Sequence, residues 1–426
     1  MRRPSTQVEK KLKRGVVAWC IYDWANSAFP TLILTFIFST YFTEKIAINK
    51  IVGTAQWGNA IAVAGLLIAV SSPLFGAIAD REGRRKPWIA IFAIIAIISS
   101  SVLWYAKPSS DYVMWTLVWV SLGLIGVEVS VVFYNAMLRD LAPKKYIGRI
   151  SGWGWGVGYF GGLTCLIIAL FAFIYNEASW LGLNRHSYEQ IRIVGPYVAI
   201  WYLIFALPLF IWTQDRPSTR IGYRQALRLG ASQLLTTLKR LPQHREIFKF
   251  LIARMIYTDG LNTVFAFGGI YAATTFGMNF AEVVQFGISL NVAAGVGAIG
   301  FAWLDDAIGP KRTILMTLLI MFLSGVGMLL VHSKLAFWIL GIFLSICVGP
   351  IQAASRSFMV RVAPPPLVTE LFGLYAFSGK ATGFVGPWLV GAFTLLFGSE
   401  RIGMSTPLAF LLAGGIVLCF VKAPKQ

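Results

Sequence analysis

Asp23-Trp24-Ala25-Asn26-Ser27-Ala28-Phe29 returns 236 residues later as Asp259-Gly260-Leu261-Asn262-Thr263-Val264-Phe265. Both copies read Asp-x-x-Asn-[Ser/Thr]-x-Phe, and both lie in the first strongly apolar segment of their half of the chain. On a helix the Asp, Asn and hydroxyl residue stand at i, i+3 and i+4 and share one face. A carboxylate inside a membrane-length apolar helix is costly and is usually functional. The same costly device placed twice implies two related halves whose polar faces turn toward a shared interior, the outline of a secondary transporter.

Composition agrees with a bilayer. Of 426 residues, 57% are hydrophobic and only 13% charged, about half the charged share of a soluble domain. The net charge of +19 is not gathered into one basic domain, as nucleic-acid binding would require; it recurs in short clusters between apolar segments. Twelve segments approach the roughly 20 apolar residues a span needs: 16–42, 56–79, 88–106, 112–138, 146–175, 195–213, 247–276, 281–303, 313–331, 335–359, 367–397 and 405–421. The fifth, seventh and eleventh have length to spare for interfacial turns. Loops on one side carry 27 Lys and Arg and those on the other carry 7. By the positive-inside rule this sets both termini in the cytoplasm, as an even span number also requires. The basic start, Arg2 to Arg14, reads as a cytoplasmic tail, because the run after it is too long for a signal-peptide core and no cleavage pattern follows. Short loops and the absence of targeting signals favour a bacterial cytoplasmic membrane.

The fold class expected is therefore an all-α polytopic membrane protein with two pseudo-symmetric six-helix bundles. The expected domains are 1–213, a linker at 214–246, and 247–426. In the linker Arg220, Arg224 and Arg228 recur every four residues, with Leu227, Leu234 and Leu238 apolar. That pattern fits a helix on the inner membrane surface and equally an ordinary solvated helix. The external loop 176–194 has no assignable role. Further echoes support the half-repeat. Leu141-Ala142-Pro143 with Arg149-Ile150-Ser151-Gly152 matches Val362-Ala363-Pro364 with Glu370-Leu371-Phe372-Gly373 at a constant offset of 221. Gly76-x3-Asp80-x2-Gly83-Arg84-Arg85-Lys86 after the second segment is echoed by Asp306-x2-Gly309-Pro310-Lys311-Arg312 after the eighth. Halves related by an axis along the membrane normal are a known transporter plan.

That second-segment loop resembles the signature of the major facilitator superfamily. The resemblance implies a cytoplasmic gate built on Asp80, Arg84 and Arg85, with Asp306 in the echo. Tyr22-Asp23-Trp24-Ala25-Asn26-Ser27-Ala28-Phe29, Phe133-Tyr134-Asn135-Ala136, Arg149-Ile150-Ser151-Gly152, Tyr257-Thr258-Asp259-Gly260, Gln352-Ala353-Ala354-Ser355-Arg356-Ser357 and Glu370 to Thr382 resemble the vacuole-effluxer branch over nearly the whole chain. That branch includes the fungal autophagy-related amino-acid exporters, so the resemblance implies solute export by alternating access, with amino acids the best-known cargo.

Six ionisable residues lie well inside apolar segments: Asp23, Glu128, Arg254, Asp259, Arg356 and Lys380. Such groups normally face the interior, paired or hydrated. Asp23 and Asp259 are the first candidates for proton coupling, with Asn26 and Asn262 beside them. Glu128, Asn135 and Arg139 form one stripe on the fourth segment. Gln352 and Arg356 share a face of the tenth, where Arg356 takes the repeat position of Asn135, and Lys380 takes that of Tyr159. Cations in the second half without counterparts in the first fit an asymmetric solute. A carboxylate or phosphate would meet Arg356 or Lys380, and an ammonium would meet Glu128 or Asp23. Salt bridges among these groups are the competing explanation, and Arg254 stands close enough to be Asp259's partner.

Glycines at 152, 154, 156, 158, 161 and 162, and at 379, 383 and 386, allow close helix packing. The many aromatics, Trp153, Trp155 and Tyr159 among them, also admit an amphiphile such as a lysolipid or siderophore as cargo. A non-transporting membrane receptor on the same fold is the reading from another class. No ATP-binding loop, cofactor motif, metal spacing among Cys20, Cys165, Cys347 and Cys419, or nucleophile–base pair points to a pump or enzyme. The expected partners are a small solute, lipids and protons, and the default state is a monomer.

Overall fold

A computed structural model describes residues 6–175, 181–219 and 223–423, and among them every regular element is helical. Ten of the twelve segments form helices long and apolar enough to cross a membrane: Lys50–Glu82, Lys86–Tyr105, Ser110–Leu141, Lys144–Ile174, Glu189–Trp212, Ala281–Ile308, Pro310–Leu330, Lys334–Val362, Pro365–Phe397 and Glu400–Cys419. The other two are the first and the seventh, which carry the repeated aspartates. The seventh is one helix, Arg245–Phe276. The first begins earlier than its apolar run, at Thr6–Asn26. Part of the basic start is thus helix rather than tail, and Arg2 and Arg3 lie outside the described residues. Beyond Asn26 the segment continues as wide turns, Phe29–Phe36 and Phe42–Ile46, around Phe38–Tyr41. Pro30 has no N–H to give, and Ile37 N reaches back five residues to Leu32 O at 3.1 Å.

The chain divides into two compact units that do not follow the six-and-six division of the sequence. The first holds 1–68, 83–137 and 157–218; the second holds 69–82, 138–156 and 219–426. The second, fourth and fifth segments therefore pass from one unit to the other. The ends that carry Arg81, Arg139, Lys144, Lys145 and Arg149 belong with the second unit, whereas Arg84, Arg85 and Lys86 belong with the first.

Within the first unit, Gly158, Gly161 and Gly162 let the fifth segment approach the first closely. A Cβ on Gly161 would lie 2.8 Å from the Trp24 backbone. Within the second unit, a Cβ on Gly152 would collide with Ala302 and Ala298 O of the eighth segment, and one on Gly373 with Ser72 O and Pro73 of the second. The glycines thus serve close packing, as their spacing suggested.

The eleventh segment is broken. Val368–Lys380 ends, residues 381–384 turn, and Val385–Phe397 resumes with Pro387 near its start. The linker helix is Tyr223–Arg240, with Arg220 and the side chain of Arg224 outside the described residues. Ala226 and Thr237 are buried, and a Cβ on Gly230 would lie 2.8 Å from Ile78. Leu227, Leu235 and Leu238 are exposed. One face therefore packs on the end of the second segment while the opposite face presents leucines. Of the external loop, 176–180 lie outside the described residues.

Candidate functional site

The repeated motif builds two different sites. In both copies the hydroxyl bonds back one turn: Ser27 Oγ donates to Asp23 O at 2.6 Å, and Thr263 Oγ1 to Asp259 O at 2.7 Å. There the likeness stops. Asp23 is buried and its Oδ2 accepts the Tyr134 hydroxyl at 2.7 Å, while Asn26 Nδ2 is 3.5 Å from Oδ1. Tyr134 is held by stacking on Trp19 (4.4 Å between centroids) and Tyr22 (5.1 Å). The Trp19 indole also donates to Tyr134 O at 3.0 Å. A second hydroxyl chain adjoins it, Tyr22 to Tyr202 at 3.0 Å and Tyr202 to Ser130 at 3.2 Å.

Asp259 is only 2% exposed. Its Oδ1 accepts Gly386 N at 3.3 Å, taking up a free N–H at the start of the resumed helix in the broken eleventh segment. Its Oδ2 has no hydrogen-bond partner among the described residues. Asn262 is exposed, unlike the buried Asn26. Nor is Arg254 the partner of Asp259. Its guanidinium lies 3.4 Å over the Tyr375 ring and donates from Nη1 to Tyr375 O at 2.5 Å and Ser378 Oγ at 2.8 Å.

The expected substrate cations fare differently. Arg356 is buried, with Nε donating to Ser151 Oγ at 2.9 Å and Nη2 to Ser151 O at 2.7 Å, and its guanidinium lies 5.6 Å from the Trp155 ring centroid. In this conformation it ties the tenth segment to the fifth. Lys380, at the last turn before the break, and Glu128 and Gln352 are half-buried, and Asn135 is buried. Arg139, on the stripe with Glu128 and Asn135, donates to Val360 O at 3.3 Å and also to Ala363 O, where the tenth segment's helix ends.

At the basic end of the second unit, charges meet helix ends of opposite partial charge. Asp80 Oδ2 accepts Glu370 N at 2.8 Å, at the start of Val368–Lys380. In the echo, Asp306 accepts Gly148 N at 2.9 Å and Arg149 N at 3.2 Å, at the start of Ile147–Ala169. Arg149 and Arg361 approach the same carboxylate at 3.6 and 3.5 Å. Anions at N-termini and the Arg139 cation at a C-terminus each complement the helix dipole. Together they pin the second segment to the eleventh and the fifth to the eighth and tenth.

The two loop arginines of the expected gate differ in burial. Arg84 is exposed. Arg85 is buried, with its N–H on Asp215 Oδ1 at 3.0 Å and Nη1 on Ala136 O at 2.9 Å, while Lys86 N donates to Asp215 Oδ2 at 3.0 Å. Asp215 thereby caps the third segment. Sequence reasoning passed over Asp215, Tyr134, Ser151 and Glu370 as site residues. Glu370 carried a signal, since it is an acid where the half-repeat has Arg149. Its carboxylate is fully buried and accepts Gln233 Nε2 of the linker helix at 2.5 Å.

A family model described as vacuole effluxer Atg22 like matches residues 55–426. The chain belongs to that family. Its relatives include an uncharacterized MFS-type transporter, YxiO, of Bacillus subtilis (strain 168), 26% identical over 97% of this chain and 96% of that one. Autophagy-related protein 22 of Coccidioides immitis (strain RS) is 22% identical over 61% of this chain, which matches 46% of the fungal protein's length. Among solved structures, the proton:xylose symporter XylE superposes with a TM-score of 0.77 at 14% identity, covering 98% of this chain and 97% of that one. The human organic anion transporter MFSD10 gives 0.75 at 14%, covering 98% and 100%. These likenesses establish the major facilitator fold. This Atg22-like protein is a major facilitator superfamily transporter and an integral membrane protein.

Proposed function

We propose that this Atg22-like transporter moves a small zwitterionic or anionic solute by alternating access, coupled to protons, and that amino acids are the first class to test. The supporting observation is Asp259, a buried carboxylate with one oxygen on a helix N-terminus and the other without a partner, on the helix facing a broken segment. Broken helices with free backbone groups are where such folds place substrate and coupling ions. Lys380, in the last turn before the break, is the cation of this unit that a solute carboxylate would meet. The basic end faces the cytoplasm in this reading, in a bacterial cytoplasmic membrane. Releasing solute there requires breaking the caps made by Asp80 and Asp306.

The test is counterflow in proteoliposomes loaded with a mixed amino-acid pool, with and without an inward proton gradient. The expected result is exchange that the gradient enhances and that Asp259→Asn uncouples, since an amide keeps the acceptor for Gly386 N but cannot ionise. Gradient-driven exchange unchanged in Asp259→Asn would remove the coupling assignment. No exchange across the pool by folded protein would remove amino acids and favour the amphiphile reading, which the exposed Trp153 packed edge-on against Trp303 supports. Ligand binding without movement across a sealed bilayer would instead select the receptor reading.

A further inference from the structure

Asp305 and Asp306 are chain neighbours at the basic end of the eighth segment, and the structure treats them oppositely. Asp306 collects the N–H groups of Gly148 and Arg149 and the guanidinium groups of Arg149 and Arg361. Asp305 is the more enclosed, 2% exposed, and neither Oδ1 nor Oδ2 has a hydrogen-bond partner among the described residues. The fifth segment covers it directly, since a Cβ on Gly148 would lie 2.5 Å from Asp305 Cγ. The charged groups facing it are Asp306 on its own element, Arg149 from the fifth segment and Arg361 from the tenth. Both arginines are directed at Asp306. Among the described residues, the one hydroxyl within side-chain reach of Asp305 is Ser357, whose Oγ also accepts from Arg361 Nε at 3.4 Å.

An ionised carboxylate enclosed with no backbone N–H or guanidinium donor, and one hydroxyl beside it, costs several kcal/mol, far more than a neutral acid does. The geometry points to Asp305 as a proton-binding site of the gate: the closed basic end holds a proton on its carboxyl, and opening releases it. The step balances simply. Asp305 carboxylate takes one proton from the water on that side before the fifth segment closes over it. When Gly148 lifts away, the carboxyl is rehydrated and returns that proton to the same water. Closure is therefore favoured by acid on the basic side, and this proton is separate from any carried at Asp259.

This inference rests on the alternating reading above, and it can be tested without knowing the solute. Spin labels at Lys145→Cys and Arg312→Cys, both exposed sites, on a Cys419→Ser background, report the separation in nanodiscs of the fifth segment from the start of the ninth, Pro310–Leu330, which follows Asp305 and Asp306 directly. As pH rises, the open-to-closed ratio should increase by up to tenfold per pH unit, the limit for release of one proton on opening. Asp305→Asn, which imitates the neutral acid, should stay closed with no pH slope. On an Asp259→Asn background, the infrared carbonyl stretch of a protonated acid should be present in the closed protein and lose a component when Asp305→Asn is added. An open–closed mixture that ignores pH, a wild-type slope in Asp305→Asn, or no loss of an acid carbonyl component would overturn the assignment while leaving alternation intact. One closed distance at every pH would overturn both.

Discussion

Asp306→Asn should unlatch the basic end. The carboxylate is nearly buried and holds four donors at once, two backbone N–H groups at 2.9 and 3.2 Å and two guanidinium groups at 3.6 and 3.5 Å. An asparagine keeps one acceptor and turns an amide N–H₂ toward the remaining donors. The loss is one hydrogen bond to a charged acceptor, the charge on a helix N-terminus, and two ion pairs, of which the Arg149 pair is partly screened by water. Together these amount to about 2–4 kcal/mol of closed-state stability. At 1.4 kcal/mol per decade, the closed-to-open ratio falls by roughly 30- to 1,000-fold. Thiol alkylation can read this shift. Cys20, Cys165 and Cys347 are buried and only Cys419 is exposed, so Val360→Cys on a Cys419→Ser background gives one reporter at a 2%-exposed position beside Arg139. When closing outpaces labelling, the maleimide rate follows the open population. The rate should rise by the factor above, until labelling of the open form saturates, in Asp306→Asn but not in the exposed control Asp111→Asn. A change under about threefold in protein that remains folded would refute the argument that this cap holds the end closed.

Two further outcomes follow from the packing. Tyr134→Phe removes the 2.7 Å donor to the buried Asp23 carboxylate and should cost about 1–3 kcal/mol, seen as a lower melting temperature in detergent; an unchanged melt would show that water replaces the hydroxyl freely. Gly297→Ala would drive a methyl into Ile346 O, whereas Gly58 has nothing within 4 Å of a built Cβ. The first should destabilise by about 1–3 kcal/mol and Gly58→Ala should be neutral or mildly stabilising. Equal melting temperatures would contradict the close approach of the eighth and tenth segments.

Much of the fold was legible in the sequence because hydropathy and charge are local. A run such as 313–331 needs no tertiary partner to read as a span, and Pro310–Leu330 is one. The echo of Asp80 in Asp306 was legible too, as were the glycines that bring segments together. Other features were not. The break at 381–384 was hidden inside a long apolar run whose extra length read as interfacial turns, and the cap on the third segment comes from Asp215, more than a hundred residues along the chain.

The sequence alone determined which segments are apolar, that they come in two related sets, which ends are basic, and that Asp23 and Asp259 sit at matching positions. Those properties follow from composition and spacing within one helix. Tertiary structure alone decided what each charge meets. Matching motifs gave Asp23 a tyrosine hydroxyl and Asp259 a backbone N–H, Arg356 became a tie to Ser151, and of two adjacent aspartates only Asp306 received backbone and guanidinium donors. The physical reason is that a buried charge is satisfied by whichever donor the packing brings within about 3 Å, and that donor often lies on a segment remote in the chain.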